Sequence, residues 1–202
     1  AEGGVRHDRR TWNEHGLLSG YEAETTAEWS PSVVSLKATD YWRAALRASL
    51  YLPLWDLPGE WQTFSGLIAL RADAQYTGGG QVPLTRLDAT KVRGYDPTFD
   101  ARALTVGSAE LRVRLPALGT WMPGLWKARE LVPVGFVFVD AGTYSGFADA
   151  ARGSGRSGLL AGTGVGGGLE IARLATPTLT LGVPLLAVKP SLWWDLSFHL
   201  AF

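Results

Sequence analysis

Hydrophobic and polar residues alternate along most of this chain. In 192–202 one face carries Trp194, Leu196, Phe198, Leu200 and Phe202, and the other carries Trp193, Asp195, Ser197, His199 and Ala201. A period of two is typical of a β-strand with one apolar and one polar face. Eight segments follow this pattern: 17–29, 41–54, 62–76, 102–115, 133–143, 158–172, 178–186 and 192–202. The sequence therefore predicts an all-β protein.

The pattern alone does not tell which face points inward. A soluble sandwich or a lipocalin-like barrel would bury the apolar face, whereas a membrane barrel would turn it towards lipid. Three observations favour the membrane. Several segments are long for sandwich strands, the polar faces mix Arg, Glu and Asp that can pair across a lumen, and aromatic residues lie near strand ends, as in an interfacial girdle. These aromatic residues are Trp29, Trp42, Trp55, Trp61, Tyr76, Trp193 and Trp194.

We therefore expect a transmembrane antiparallel β-barrel domain over 17–202, with eight strands per chain, after a short polar N-terminal segment, 1–16. An even number of strands permits antiparallel closure with both termini on one side. The longest connection, 77–101, then lies on the outer side of the membrane. The polar faces predict a network of inward-pointing charges. Its members are Glu22, Glu24, Glu28, Arg43, Arg47, Arg71, Asp73, Arg112 and Arg114.

Composition narrows the classes of function. The 202 residues include no Cys, which excludes a disulfide framework and thiolate metal sites. Because 19 Lys and Arg balance 19 Asp and Glu, net charge gives no reason to expect nucleic-acid binding. The longest apolar run, 131–139, is far shorter than the roughly 20 residues of a transmembrane helix. We expect no cofactor and no metal site.

A set of motifs in the second half of the chain follows a fixed order. Residues 92–95 read Val-Arg-Gly-Tyr within the longest connection. The motifs after it are 109–112, 138–142, 162–166, 181–185 and a terminal strand that ends in Phe202. This set resembles the C-terminal half of the barrel in the BamA/TamA and two-partner-secretion transporter superfamily, also called the bacterial surface antigen family. The resemblance covers about 17–202 and is strongest over 91–202.

The resemblance implies a site on the inner wall of the barrel. In that family the long sixth loop folds back into the lumen, and its arginine, here Arg93, meets an acidic residue on each of the next two strands, here Glu110 and Asp140. Gly94 would allow close approach to the wall, and Tyr95 would pack beside it. Strand parity agrees, because Glu110 shares its face with the other charged residues of its segment. The alternative interpretation is an exposed turn with a solvated Arg93.

The resemblance also implies a place and a role. It places the chain in the bacterial outer membrane, in contact with outer-membrane lipids, and implies a role in inserting or translocating proteins or lipids. The outer-membrane assembly machinery would recognise the terminal strand during biogenesis. The residues of this assembly-signal strand are Trp194, Leu196, Phe198, Leu200 and Phe202. A passive structural barrel or a small pore is the alternative function.

Two departures from the family matter. The family barrel has sixteen strands, and we expect eight here; the family also has periplasmic POTRA domains, and 1–16 is too short for one. Side chains already fill an eight-stranded barrel. The long loop would therefore cap the outer mouth, or two chains would share a sixteen-stranded lumen, or closed barrels would pair side by side. The sequence leaves open whether the chain forms a homodimer or is a subunit of a larger complex.

Catalysis has little support in the sequence. Asp195, Ser197 and His199 share one face and invite comparison with an outer-membrane lipid hydrolase. However, alternate residues of one strand point in parallel, with Cα atoms nearly 7 Å apart, whereas a nucleophile and its base usually converge from different elements. We therefore expect no enzyme activity.

Overall fold

The computed structural model describes ten stretches of the chain, and within them it is all-β. These stretches are 2–12, 18–30, 41–57, 64–79, 92–93, 101–121, 131–146, 157–171, 175–186 and 192–200. The strands are β1 (Glu2–Asp8), β2 (Thr11–Trp12), β3 (Leu18–Ser30), β4 (Tyr41–Leu57), β5 (Phe64–Gly79), β6 (Ala103–Arg114), β7 (Leu131–Ser145), β8 (Gly158–Ile171), β9 (Ala175–Pro184) and β10 (Trp193–Leu200). One helical turn, α1 (Leu118–Trp121), lies between β6 and β7. The all-β prediction is confirmed.

The strands form a single antiparallel sheet in chain order. The order is β1-β3-β4-β5-β6-β7-β8-β9-β10, and the short β2 pairs with β3 beside β1. The eight predicted segments correspond to β3–β10. A register shift between Pro53 and Trp55 interrupts the pairing of β4 with β5. Because proline has no backbone N–H to donate, such an irregularity is expected at Pro53.

The sheet is open within the described residues. At one end β1 pairs with β3, and at the other β10 pairs with β9, while no pairing there joins β10 to β1 or to β3. The predicted closure of eight strands is therefore not confirmed. The structure also adds β1 and β2 within 1–16, where a polar segment was expected. The alternation in β1 was easy to miss, because Val5 is its only large apolar residue.

The apolar face of the sheet is the exposed one. Leu46 is 44% exposed, Val137 49% and Leu196 68%. The opposite face, called the inner face below, holds two small buried clusters. One contains Leu18, Tyr51, Leu67 and Ala69, and the other contains Val92, Ala101, Leu104, Val106 and Leu160. A soluble sandwich buries its apolar faces, so this sheet has the reverse arrangement. In the part of the chain that the structure describes, no helix is long and apolar enough to cross a membrane.

Glycines paired with aromatic residues set the register of the sheet. Five aromatic residues lie directly opposite a glycine on the next strand, and their rings occupy the space that a Cβ would take. The pairs are Trp42–Gly78, Trp55–Gly66, Phe136–Gly166, Phe138–Gly164 and Tyr144–Gly158. Rings that cover cross-strand glycines in this way fix the pairing of neighbouring strands. The glycines of β8 therefore accommodate the rings of β7.

Candidate functional site at Arg93

Two neighbouring strands supply four side chains to one patch of the inner face. β6 contributes Ser108 and Glu110, and β7 contributes Phe138 and Asp140. The register places Ser108 opposite Asp140 and Glu110 opposite Phe138. Residues two apart on a strand share a face, so both carboxylates lie on the same side of the sheet as diagonal neighbours. The patch therefore follows from the alternation of side chains along each strand and from the register of β6 with β7.

Arg93 binds both carboxylates of this patch. Its Nε donates to Asp140 Oδ2 at 2.8 Å and its Nη2 donates to Asp140 Oδ1 at 2.9 Å, which makes the contact bidentate. Its Nη1 donates to Glu110 Oε2 at 2.9 Å. The backbone N–H of Arg93 also donates to Asp140 Oδ2, at 3.0 Å. We call Arg93, Glu110 and Asp140 the Arg93 anchor. A planar guanidinium suits two carboxylates in this way, whereas an ammonium would not.

Two further residues hold the anchor and were not identified from the sequence. Ser108 Oγ accepts from Arg93 Nη2 at 3.2 Å and donates to Asp140 Oδ1 at 2.7 Å. The Phe138 ring lies under the guanidinium, with Arg93 Cζ 3.4 Å from the ring centroid. Such a cation–π contact stabilises a desolvated arginine. The signal was present, because Ser108 and Phe138 precede the two carboxylates by two residues and share their face.

The anchor is shielded from solvent. The side chains of Arg93, Glu110 and Asp140 are 20%, 7% and 0% exposed. Burial lowers the pKa of the Arg93 guanidinium, but the hydrogen bonds and charges of Asp140 and Glu110 outweigh this and hold its pKa above the ordinary value. Glu110 also pairs with Arg112 on its own strand. Each buried charge thus has an opposite charge in contact, which is the condition for tolerating it.

Val92, the residue before the arginine, is held by apolar contacts. It is fully buried in a cluster with Ala101, Leu104, Val106 and Leu160, and Tyr144 packs against this cluster. Residues 92 and 93 therefore contact the inner face in two different ways, one apolar and one ionic. The apolar half was not identified from the sequence, where Val92 was only the first letter of a motif.

Two wall glycines make room for this close approach. At Gly162 a Cβ would overlap the carbonyl oxygen of Arg93. At Gly142 a Cβ would lie 3.2 Å from Val92 Cγ2 and 3.0 Å from the carbonyl oxygen of Thr105. A side chain at either position would therefore compete with the segment for space. The other two predicted loop residues, Gly94 and Tyr95, lie outside the described residues.

The structure pairs most of the predicted inward-pointing charges. Arg43 lies 3.3 Å from Glu28, and Arg47 lies 3.2 Å from Asp73. Both pairs run between neighbouring strands, as an inner-face network would require. Arg71 also lies on this face. Arg47 is far more exposed than Arg93, with 64% of its side chain accessible. Its ion pair with Asp73 therefore contributes little to stability.

Three charges missed by the sequence analysis complete other pairs. Glu22 lies 2.6 Å from Arg6 and 2.9 Å from Arg10, and Arg114 lies 2.8 Å from Glu170. Arg6 and Arg10 stand in 1–16, which was not expected to contain a strand. Glu24 faces the same way as Glu22, since the two are two positions apart on β3.

The terminal strand shows its apolar residues to the outside. Trp194 and Phe198, like Leu196, are more than 60% exposed. The side chain of Leu200 and the whole of Phe202 lie outside the described residues. On the other face Asp195 and Ser197 stand opposite Thr180 and Thr178 of β9, and the backbone of His199 continues the same pairing. The side chain of His199 lies outside the described residues.

In the described stretches, no group of three or more His, Asp or Glu side chains is placed to hold a metal ion.

Comparison with known proteins assigns no family to this chain. No protein-family model, no curated protein and no solved structure matches the chain.

Proposed function

We propose that this sheet forms part of the wall of a transmembrane β-barrel in the bacterial outer membrane. The observation that supports this is the direction of the alternation. Apolar side chains on the exposed face, such as Leu50, Leu70 and Val139, would be unfavourable in water over so large a surface, whereas lipid solvates them. The charged inner face would line the lumen.

We further propose that the chain is a relative of the BamA/TamA and two-partner-secretion transporters. In this role it would help to insert or translocate proteins or lipids at the outer membrane, without enzyme activity. The supporting observation is the Arg93 anchor, whose arginine bonds two acidic residues on the next two strands, the arrangement that the resemblance implies. Partners would be outer-membrane lipids, the machinery that assembles outer-membrane proteins, and a second copy or another subunit.

The anchor would act by keeping an outer loop inside the lumen. Arg93 belongs to the connection between β5 and β6, yet its side chain reaches inner-face residues in the middle of β6 and β7. A segment held there narrows the lumen and keeps its position while substrates pass the wall. Loss of the ionic contacts would free the segment and change the shape of the path. Transport would therefore depend on Arg93 more than on other inner-face arginines.

The membrane part of the proposal is tested by folding the purified chain into lipid vesicles. We expect it to resist extraction with alkaline carbonate and to migrate differently in SDS gels before and after boiling. A chain that stays soluble without detergent, or that carbonate releases from the vesicles, would overturn the membrane proposal.

The transport part is tested by comparing two arginine variants in the native host. Arg93→Ala removes the anchor, and Arg71→Ala removes an exposed arginine from the same face. With equal amounts of both variants in the membrane, Arg93→Ala should lower the level of other outer-membrane proteins or lipids severalfold, and Arg71→Ala should not. Equal levels in both strains would contradict the transport role, and steady conductance in a planar bilayer would then favour the small pore.

A further inference from the structure

The two carboxylates of the Arg93 anchor are held in different ways. Asp140 has no exposed side-chain surface, and within the described residues its cationic partner is Arg93 alone. Glu110 binds two arginines, because its Oε2 accepts from Arg93 Nη1 and its Oε1 accepts from Arg112 Nε. One carboxylate of the anchor is therefore bound by Arg93 only, whereas the other is shared between Arg93 and Arg112.

Arg112 binds no other acidic residue in the part of the chain that the structure describes. It lies two positions after Glu110 on β6, and the register sets it between Leu67 of β5 and Phe136 of β7, which are both apolar. Its side chain is 39% exposed, so its charge is partly hydrated. Arg112 can therefore stay beside Glu110 whether or not Arg93 is bound.

Arg114, two positions further along the same face of β6, binds a different carboxylate. Its Nε and Nη2 donate to the two carboxylate oxygens of Glu170 on β8, at 3.1 and 2.8 Å. The charges of this bidentate pair cancel, so the pair adds little to the field at the anchor. Arg114 is therefore a natural comparison for Arg112.

The charge of Arg112 lowers the cost of releasing the segment. While residues 92–93 contact the wall, two arginines face the two carboxylates of the anchor. When residues 92–93 leave, Arg112 still neutralises Glu110, so one carboxylate loses its cation instead of two. Because a carboxylate without a counter-ion is costly at a shielded site, Arg112 lowers the free energy of the released state.

The charge of Arg112 also raises the free energy of the bound state. Arg93 and Arg112 share one carboxylate, so two like charges lie close together, where they repel each other more strongly than in bulk water. Both effects favour release. The hydrogen bond from Arg112 to Glu110 opposes them by orienting the carboxylate, but a neutral donor at position 112 would keep this bond.

We propose, on the basis of the loop-holding role proposed above, that Arg112 is the residue that keeps the Arg93 anchor releasable. Asp140 and the apolar cluster around Val92 hold the segment, and the charge of Arg112 sets how often the segment leaves the wall. A supporting ion pair would weaken the anchor when removed. Here the opposite is expected, because removal of the Arg112 charge should tighten the anchor.

The absence of cysteine in the sequence allows release to be measured by thiol labelling. Val106 shares a cluster with Val92 and is 3% exposed. A Val106→Cys chain folded into lipid vesicles should react with a water-soluble maleimide when residues 92–93 open away from the wall. In this background Arg93→Ala should raise the labelling rate severalfold. An unchanged rate would show that the anchor does not hold the segment and would overturn the inference.

Two neutral variants of Arg112 test the proposal directly. Arg112→Gln removes the charge and keeps a hydrogen-bond donor for Glu110, so we expect labelling of the cysteine at position 106 to slow severalfold. Arg112→Met removes the charge and the donor and should change the rate in the same direction. Different migration in SDS gels before and after boiling identifies the variants that fold.

Two further variants separate the charge of Arg112 from its size and its face. Arg112→Lys keeps the charge and should label at the rate of the parent Val106→Cys chain. Arg114→Gln removes an arginine charge from the same face and should also leave the rate unchanged. Both are made in the Val106→Cys background.

The outcomes separate this inference from the proposed function. Faster or unchanged labelling in the folded neutral variants overturns the inference, and so does equal slowing by Arg112→Lys or Arg114→Gln. Such a result leaves the membrane barrel and the transport role standing. Slower labelling in the neutral variants supports the inference even if Arg93→Ala has no effect on transport in the host, a result that would contradict the transport role alone.

Discussion

The inner face of β6–β8 differs from the inner face of β3–β5, although both follow the same alternation. In the first region the Asp140 side chain has no exposed surface and Glu110 has 7%, because residues 92–93 cover them. In the second region Arg43 and Arg47 pair with Glu28 and Asp73 on neighbouring strands, and Arg47 keeps 64% of its side chain exposed. The difference teaches that the contribution of an inner-face charge to stability depends on what covers it, and not on its position in the alternation.

The largest effect is expected when the covered carboxylate is removed. Asp140→Ala leaves Arg93 without its bidentate partner and should destabilise the fold by about 3–5 kcal/mol, the usual result of breaking a buried ion pair. Urea unfolding in vesicles measures this. In the second region, Arg47→Ala removes a side chain that is 64% exposed and should cost less than about 1 kcal/mol. Similar losses for the two variants would erase the proposed difference between the regions.

A smaller loss is expected when the charge stays and the geometry changes. Arg93→Lys keeps a cation beside the carboxylates but cannot bond Asp140 through two nitrogens in one plane. We expect a loss of about 1.5–3 kcal/mol, the range for hydrogen bonds to charged groups, and faster proteolysis of the connection between β5 and β6. Arg47→Lys is the matched control and should change neither. Full stability of Arg93→Lys would show that charge alone holds the segment.

The space above Gly162 gives a test that leaves every charge in place. Gly162→Ala puts a methyl group where the Arg93 carbonyl oxygen lies, so we expect a loss of about 1–3 kcal/mol, as for overpacking in a core. Gly107→Ala is the control, because a Cβ there meets nothing within 4 Å. Equal stability of the two variants in urea would mean that the segment shifts without cost.

The smallest effect is expected for an ion pair in the exposed region. Glu28→Gln removes the charge opposite Arg43, and both side chains of this pair are 31% exposed. The change in unfolding free energy should stay within about 0.2–1 kcal/mol and should shrink further in 1 M salt. A loss as large as that of Asp140→Ala would show that β3–β5 is covered in the membrane.

Much of the fold could be predicted from the alternation. The eight segments correspond to β3–β10, and Leu46, Val137 and Leu196 fall on the face assigned to them, because the side-chain period of a strand is a local property. β1 was missed for the same local reason. With two glycines and one large apolar residue, its seven residues carry a weak pattern, and they become a strand only because β3 offers an edge.

The candidate site, too, could be predicted from the sequence only in part. Parity placed Glu110 on the polar face with Arg112, and the resemblance brought Arg93 and Asp140 to it. Neither identified Val92, whose cluster combines residues from four parts of the chain, or the ring of Phe138 under the guanidinium. Contacts of this kind depend on register and on the path of a loop, and no local pattern records them.

By itself, the sequence determined β3–β10, their two faces and most of the charges that share the inner one, because each follows from neighbours along the chain. Tertiary structure decided which of those charges are buried. It also decided that Glu22 forms an ion pair with Arg6 and that β1 pairs with the edge of β3. These depend on strands meeting across long separations in sequence. The physical reason is that alternation orients a side chain relative to its own strand, whereas burial and pairing depend on what the rest of the chain places above it.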